Sequence, residues 1–139
     1  MLLAQAQQVN AEDGLALGGY DPVSYFEDGR PVLGSARLST SYHGVVYRFA
    51  SEIHREEFNK DPLSYLPEYG GWCAYAMGID GERVEVDPET FKVKDGRLFL
   101  FYNRPFNNTL KKWNKKEDDL LRRADQNWKT KLKTSPNER

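Results

Sequence analysis

The sequence predicts an α+β fold: a small single domain of antiparallel β-hairpins packed with short helices and closed by a C-terminal amphipathic helix. Three observations predict it. The pairs His43-Gly44 and Asp95-Gly96 each separate two runs of strand-like residues, which is a hairpin signal. Helix-start residues, namely Ser51 and the Asp-Pro pairs at 21–22, 61–62 and 87–88, punctuate the chain around those runs. Trp113, Leu120, Leu121, Ala124 and Trp128 then recur at helical spacing with charges between them. A length of 139 residues suits one domain, and a hydrophobic share of 39%, with 13% aromatic, supplies its core. Tyr hydroxyls and Trp N–H groups in such a core need polar partners.

Taken in order, residues 1–13 read as a flexible N-terminus, 14–128 as the domain and 129–139 as a polar tail. Residues 9–19 are polar, contain glycine and read as an extended lead-in. Asp21 is placed to cap a short helix whose first position is Pro22, with Val23, Tyr25 and Phe26 turned inward. A turn over residues 27–31 closes it. Strands follow at 36–42 and 45–49, the second alternating Val45, Tyr47 and Phe49 with Val46 and Arg48. Ser51 caps a helix over 52–59, with Glu52 well placed in its first turn. Asp61-Pro62 starts another helical turn. Gly70-Gly71 allow a sharp turn or a close backbone approach before Trp72-Cys73-Ala74-Tyr75-Ala76. A loop at 78–81, a short strand at 83–86, a helix start at Asp87-Pro88-Glu89 and a hairpin around Asp95-Gly96 complete the middle. The terminal amphipathic segment is one helix, or two broken near Asn114.

The formal net charge is −1, too small for a strong global field. It is unevenly distributed: from Arg104 onward there are eleven basic residues and five acidic ones. An acidic body with a basic C-terminal region could orient on an anionic surface, or the charges could serve as a solvated helix face. The basic residues carry no nucleic-acid readout motif, so no nucleic-acid partner is expected. No apolar run approaches the roughly 20 residues that span a bilayer. Ala4-Gln5-Ala6 has the small-x-small pattern of a signal-peptidase site and Leu2-Leu3 could end an apolar run, so a periplasmic or secreted protein is expected, with a cytoplasmic one as the alternative. Cys73 is the single cysteine, which excludes an internal disulfide.

Several stretches resemble the YHS-domain family. They are Leu17-Gly18-Gly19-Tyr20-Asp21-Pro22-Val23-Ser24-Tyr25-Phe26, Tyr42-His43-Gly44 through Tyr47-Arg48-Phe49-Ala50-Ser51, and Tyr69-Gly70-Gly71-Trp72-Cys73-Ala74-Tyr75-Ala76. Asp87-Pro88, Asp95-Gly96-Arg97-Leu98-Phe99-Leu100 and Ala124-Asp125-Gln126-Asn127-Trp128 extend the likeness over residues 14–128. The resemblance implies a small exported bacterial protein of a group in which most members have no assigned reaction. Related domains accompany metal-handling proteins such as copper-transporting ATPases, where the Cys is often proposed as a metal ligand. This sequence lacks the second Cys of the better metal-binding relatives.

The residues themselves allow a soft-metal site. In a helix, Cys73 and Met77 lie four apart on one face, and a thiolate with a thioether suits Cu(I). His43 or His54 could complete a three-ligand set, although His43 reads as a solvent-exposed turn residue and His54 as part of an exposed helix face. The function expected is thus a small binding module, taking a small ligand or a metal ion such as copper. The alternatives are a thiol-dependent enzyme using Cys73 with a neighbouring base, and a structural or interaction domain in which Cys73 is a small buried hydrophobe. Tyr20 and Asp21 could pair with Tyr69 or Trp72 to line an aromatic ligand pocket, or Asp21 could serve only as a helix cap. The adjacent carboxylates Glu56-Glu57 and Asp118-Asp119 point apart on helices and form no acid–base dyad. The glycines form neither a dinucleotide fingerprint nor a phosphate loop.

Overall fold

The computed structural model describes residues 8–133 and has the expected α+β architecture. The first sheet has four strands: β1 (Ala11–Glu12), β2 (Leu15–Ala16), β3 (Ser35–Tyr42) and β4 (Val45–Phe49), in the order β1-β2-β4-β3. The β3–β4 hairpin turns at His43-Gly44, whose φ values of 50° and 83° are those of a type I′ turn. Asp13-Gly14 makes a second such turn between β1 and β2, so the expected extended lead-in is instead a small hairpin. Its Leu15 pairs in parallel with Val46, and the next two residues, Ala16 and Leu17, are buried. The signal-like residues 1–6 lie outside the described residues.

The second sheet is the hairpin of β5 (Asp87–Lys94) and β6 (Arg97–Phe101), turned at Asp95-Gly96. Asp87-Pro88-Glu89 begins a strand here and not a helix. The Asp87 carboxylate accepts bonds from the Glu89 N–H and the Thr90 hydroxyl, within the stretch where the β5–β6 register shifts. The same side-chain habit that caps helices thus shapes a strand irregularity. Residues 83–86 form no strand. They run alongside Cys73, whose N–H donates to the Val84 carbonyl. A third, two-residue hairpin joins β7 (Asn103–Arg104) to β8 (Asn107–Asn108).

Among the described residues these helices complete the fold: α1 (Ser24–Glu27), α2 (Glu52–Lys60), α3 (Ala74–Ile79), α4 (Thr109–Lys115) and α5 (Glu117–Lys133). Ser51 caps α2 by accepting from the His54 N–H, as its position predicts. The terminal amphipathic segment does break in two, at Lys116, and α5 continues four residues beyond Lys129 into the expected polar tail. No helix among the described residues is long and apolar enough to cross a membrane.

β6 explains why these pieces form one domain. Leu98 and Leu100 point into a core with Val23, Tyr25, Val45, Tyr47, Phe49 and Phe58. Phe99 and Phe101, on its other face, join Tyr69, Ala74, Met77, Trp113, Leu120 and Ala124. Successive strand residues face opposite sides, so one apolar strand buried on both faces holds the sheet-based core against the helical one. Gly78 permits the helical core to close: a Cβ there would stand 2.8 Å from the Leu120 carbonyl oxygen of α5. The rings find their polar partners. The Tyr25 hydroxyl donates to the Pro88 carbonyl, the Tyr69 hydroxyl to Asp125, the Trp72 N–H to the Gln8 carbonyl and the Trp113 N–H to Glu117.

Candidate functional site

Cys73 stands immediately before α3, with its thiol completely buried. The sulfur accepts from the Tyr102 N–H at 3.3 Å and lies 3.6 Å from the Thr109 hydroxyl oxygen. Thr109 commits its own proton to the Tyr102 carbonyl at 2.6 Å. The thiol proton is therefore left to point at the Thr109 oxygen, and the sulfur both donates and accepts within the protein. Met77 is also fully buried, in the helical core, and its N–H closes the first turn of α3 onto the Cys73 carbonyl. His43 sits on the exposed β3–β4 turn with its ring edge-on to Tyr42, and no hydrogen bond or ring contact joins it to Cys73 or Met77 among the described residues. No group of three or more His, Cys, Asp or Glu side chains that could hold a metal ion occurs among the described residues.

The Cys73 geometry has a direct consequence. Cys73→Ala should leave Cu(I) affinity, measured by anaerobic competition titration, indistinguishable from that of the parent. It should instead lower stability by about 1–3 kcal/mol, because the partly buried Tyr102 N–H loses its acceptor. A stoichiometric Cu(I) complex that vanishes in the variant would mean that the sulfur leaves this hydrogen-bonded position to bind the ion.

The four residues considered for an aromatic pocket are distributed differently. Tyr20 packs half-buried at the edge of the first core, its phenol held above the usual range by burial and the nearby Glu89 carboxylate. Asp21 is wholly buried beside it. Tyr69 belongs to the second core, where burial and the Asp125 hydrogen bond push its phenol far up. Arg97 joins this group by bridging Glu68 at 2.7 Å and Asp125 at 2.8 Å. Trp72 lines a separate shallow cleft with Val9, Ala11 and Val86. No hydrogen bond or ring contact joins Tyr20 or Asp21 to Tyr69 or Trp72 among the described residues.

Asp21 has a different set of partners. One carboxylate oxygen accepts from the Val23 N–H at 2.8 Å. The other accepts from the Ala50 N–H at 2.9 Å and meets His54 Nδ1 at 2.6 Å. His54 is therefore not on an open helix face; its side chain is 14% exposed. Burial opposes its charge, but the Asp21 hydrogen bond and the charges of Asp21, Asp28 and Glu57 outweigh that and raise its pKa. The pair fixes the imidazole and ties the start of α2 to the turn before α1. Among the described residues no hydrogen bond or ion pair joins it to Cys73, whose sulfur meets the Tyr102 N–H and the Thr109 hydroxyl.

A feature that the sequence reading did not isolate lies at the C-terminal end of the β-structure. The β7–β8 hairpin and α4 frame an open cleft of about 700 Å³ lined by Arg104, Phe106, Lys111, Lys112 and Lys115. Asn108 caps α4 by accepting from the Leu110 and Lys111 N–H groups, which sets the three lysines along the cleft wall. None of these four cations has a carboxylate partner among the described residues. Arg104 lies over the Tyr102 ring and Lys112 over Tyr75. Asn-Arg-Pro-Phe-Asn, with Pro105 in the first central position of a turn, was the local signal for this hairpin. A scan against protein-family models gives no match for this chain, and no curated protein or solved structure matches it.

Proposed function

We propose that this chain is a non-catalytic binding module of the YHS type, exported to the periplasm or beyond, that receives an anionic partner on the cleft between β7–β8 and α4. The observation that carries this reading is the set of four cations, Arg104, Lys111, Lys112 and Lys115, lining one cleft, none of them in an ion pair among the described residues. Unpaired like charges held together raise the free energy of the isolated protein, and an anionic partner removes that penalty. The buried, internally bonded thiol supports a structural role for Cys73 within the same module. The likeness to the YHS family rests on the sequence motifs, with which a small α+β domain is compatible.

Titration with inorganic polyphosphate, followed by amide chemical shifts, tests this. Saturable shifts should concentrate at Arg104, Asn107, Asn108, Lys111 and Lys115, and a Lys111→Ala, Lys115→Ala double variant should weaken binding about tenfold or more at low salt. Uniform small shifts, unchanged in the double variant, would count against the cleft as the binding surface.

A further inference from the structure

We propose that this surface docks on anionic lipid bilayers, with Phe106 entering the interface while the surrounding cations engage headgroup phosphates; the proposal rests on the cleft being the binding surface. Phe106 is fully exposed at the tip of the β7–β8 hairpin. Its φ of +65° is the left-handed conformation, which a type II turn with proline before it fills best with glycine. The residue thus carries backbone strain and an unburied ring together, neither of which helps the fold. Strain of this kind is found where function requires the residue.

The surroundings of Phe106 select the partner. Arg104, Lys111, Lys112 and Lys115 flank the ring, and the same basic face continues past Lys116 and Arg123 around the half-exposed Ile79. Asp119, the acid on that continuation, is already paired with Arg122 and Arg123. Glu12 and Glu85 border this face beyond Arg104. Phe106 and Ile79 beside the row of cations along α4 match the layered chemistry of an anionic bilayer, with phosphates outside and acyl chains within. A second copy of the same face would bring like charges together. A single-stranded nucleic acid needs several open rings on which successive bases stack, whereas Tyr102 and Tyr75 are each overlaid by a cation.

The test is co-sedimentation of the full chain with vesicles of phosphatidylcholine alone, or of equal parts phosphatidylcholine and phosphatidylglycerol. Binding is expected to the second and not the first, and should weaken as salt is raised. Phe106→Ser should reduce it about tenfold or more, the value of one aromatic side chain leaving water. Phe106→Gly should bind as poorly while melting no lower than the parent, since glycine suits the turn. Absence of binding to the anionic vesicles would overturn the proposal, and if polyphosphate still titrates the cleft, the binding-module reading survives it. Undiminished binding by Phe106→Ser, or tighter binding to a single-stranded oligonucleotide than to the vesicles, would overturn it too. Failure of both polyphosphate and vesicles would remove the two readings together.

Discussion

Replacing Asp21 by alanine is expected to destabilise the protein by about 3 kcal/mol or more, since it removes one fully buried carboxylate from three donors. The Val23 and Ala50 N–H groups would be left without their acceptor, and His54 would lose the partner that orients it. Because Asp21 joins residues far apart in the chain, the loss should appear in global unfolding by urea and not merely as fraying of α1. The pH dependence has a definite sign. The folded-state pKa of His54 is raised, so the folded form holds that proton more tightly than the unfolded chain does. That contribution is complete below the ordinary histidine value of about 6.5 and fades as pH rises through the folded-state pKa. The stability gap between parent and Asp21→Ala should therefore be widest on the acid side of neutrality and should narrow toward alkaline pH. A gap that widens with rising pH would show that the imidazole is not the charged partner.

Asp21 also marks where local reading of the sequence stops. Its use as a turn residue was legible, because Asp-Pro before an apolar segment has few other uses and the Val23 N–H does bond its side chain. The helix it was expected to cap starts at Ser24 and not at Pro22, with Val23 in the capping position and no side-chain cap, because the Asp21 carboxylate is taken up by the turn, by Ala50 and by His54. Its pairing with His54 was not. The two are thirty-three residues apart, and nothing at Ile53-His54-Arg55 distinguishes a histidine turned inward from one left in solvent. The hairpins show the same division. His43-Gly44 and Asp95-Gly96 specify turns by backbone chemistry alone, and both appear where expected. The parallel pairing of Leu15 with Val46 carries no such local mark. The β1–β2 turn does carry one, Asp13-Gly14, but the strands it joins are two residues each, too short to show an alternation, so residues 9–19 read as an extended lead-in.

Cys73 fell on the same side of that division. Its neighbours in sequence include Met77 at helical spacing, which is a ligand pattern. The groups that satisfy the thiol, Tyr102 and Thr109, are remote in sequence and come from the stretch between β6 and α4 and from the first residue of α4. The basic cleft was half legible. The excess of cations beyond Arg104 was plain from composition, but their concentration around Phe106 depends on how α4 leaves the β7–β8 hairpin. Charge in a sequence becomes a surface only when the packing of its helix is known, and here one buried ring fixes that packing.

That ring is Trp113, and Trp113→Ala is expected to have the largest effect of any single change in the helical core, about 3–5 kcal/mol. The side chain is completely buried on α4 between Phe99 and Phe101 of β6, with ring centroids 5.5 Å away in each case. Its N–H donates to Glu117 at 2.9 Å. Burial alone would raise the Glu117 pKa, but the bonds from Lys92, Lys94 and Trp113 hold it down at about 2. Removing the indole thus opens a cavity and weakens a charge cluster that joins α5 to β5. The melting temperature should fall on the order of 10 °C. Trp113→Phe keeps most of the packing and forfeits the hydrogen bond, so it should cost about 1–2 kcal/mol. The two variants also separate folding from binding. Trp113→Phe preserves the seat of α4, so Lys111, Lys112 and Lys115 stay on the cleft wall and vesicle affinity should match the parent below the melting transition. If Trp113→Phe lost vesicle binding while remaining folded, the docking surface would have to involve more than the exposed face of α4 and the hairpin tip. A loss below about 1 kcal/mol for Trp113→Ala would mean that β6 and α4 do not share the closely packed core from which the placement of that surface is argued.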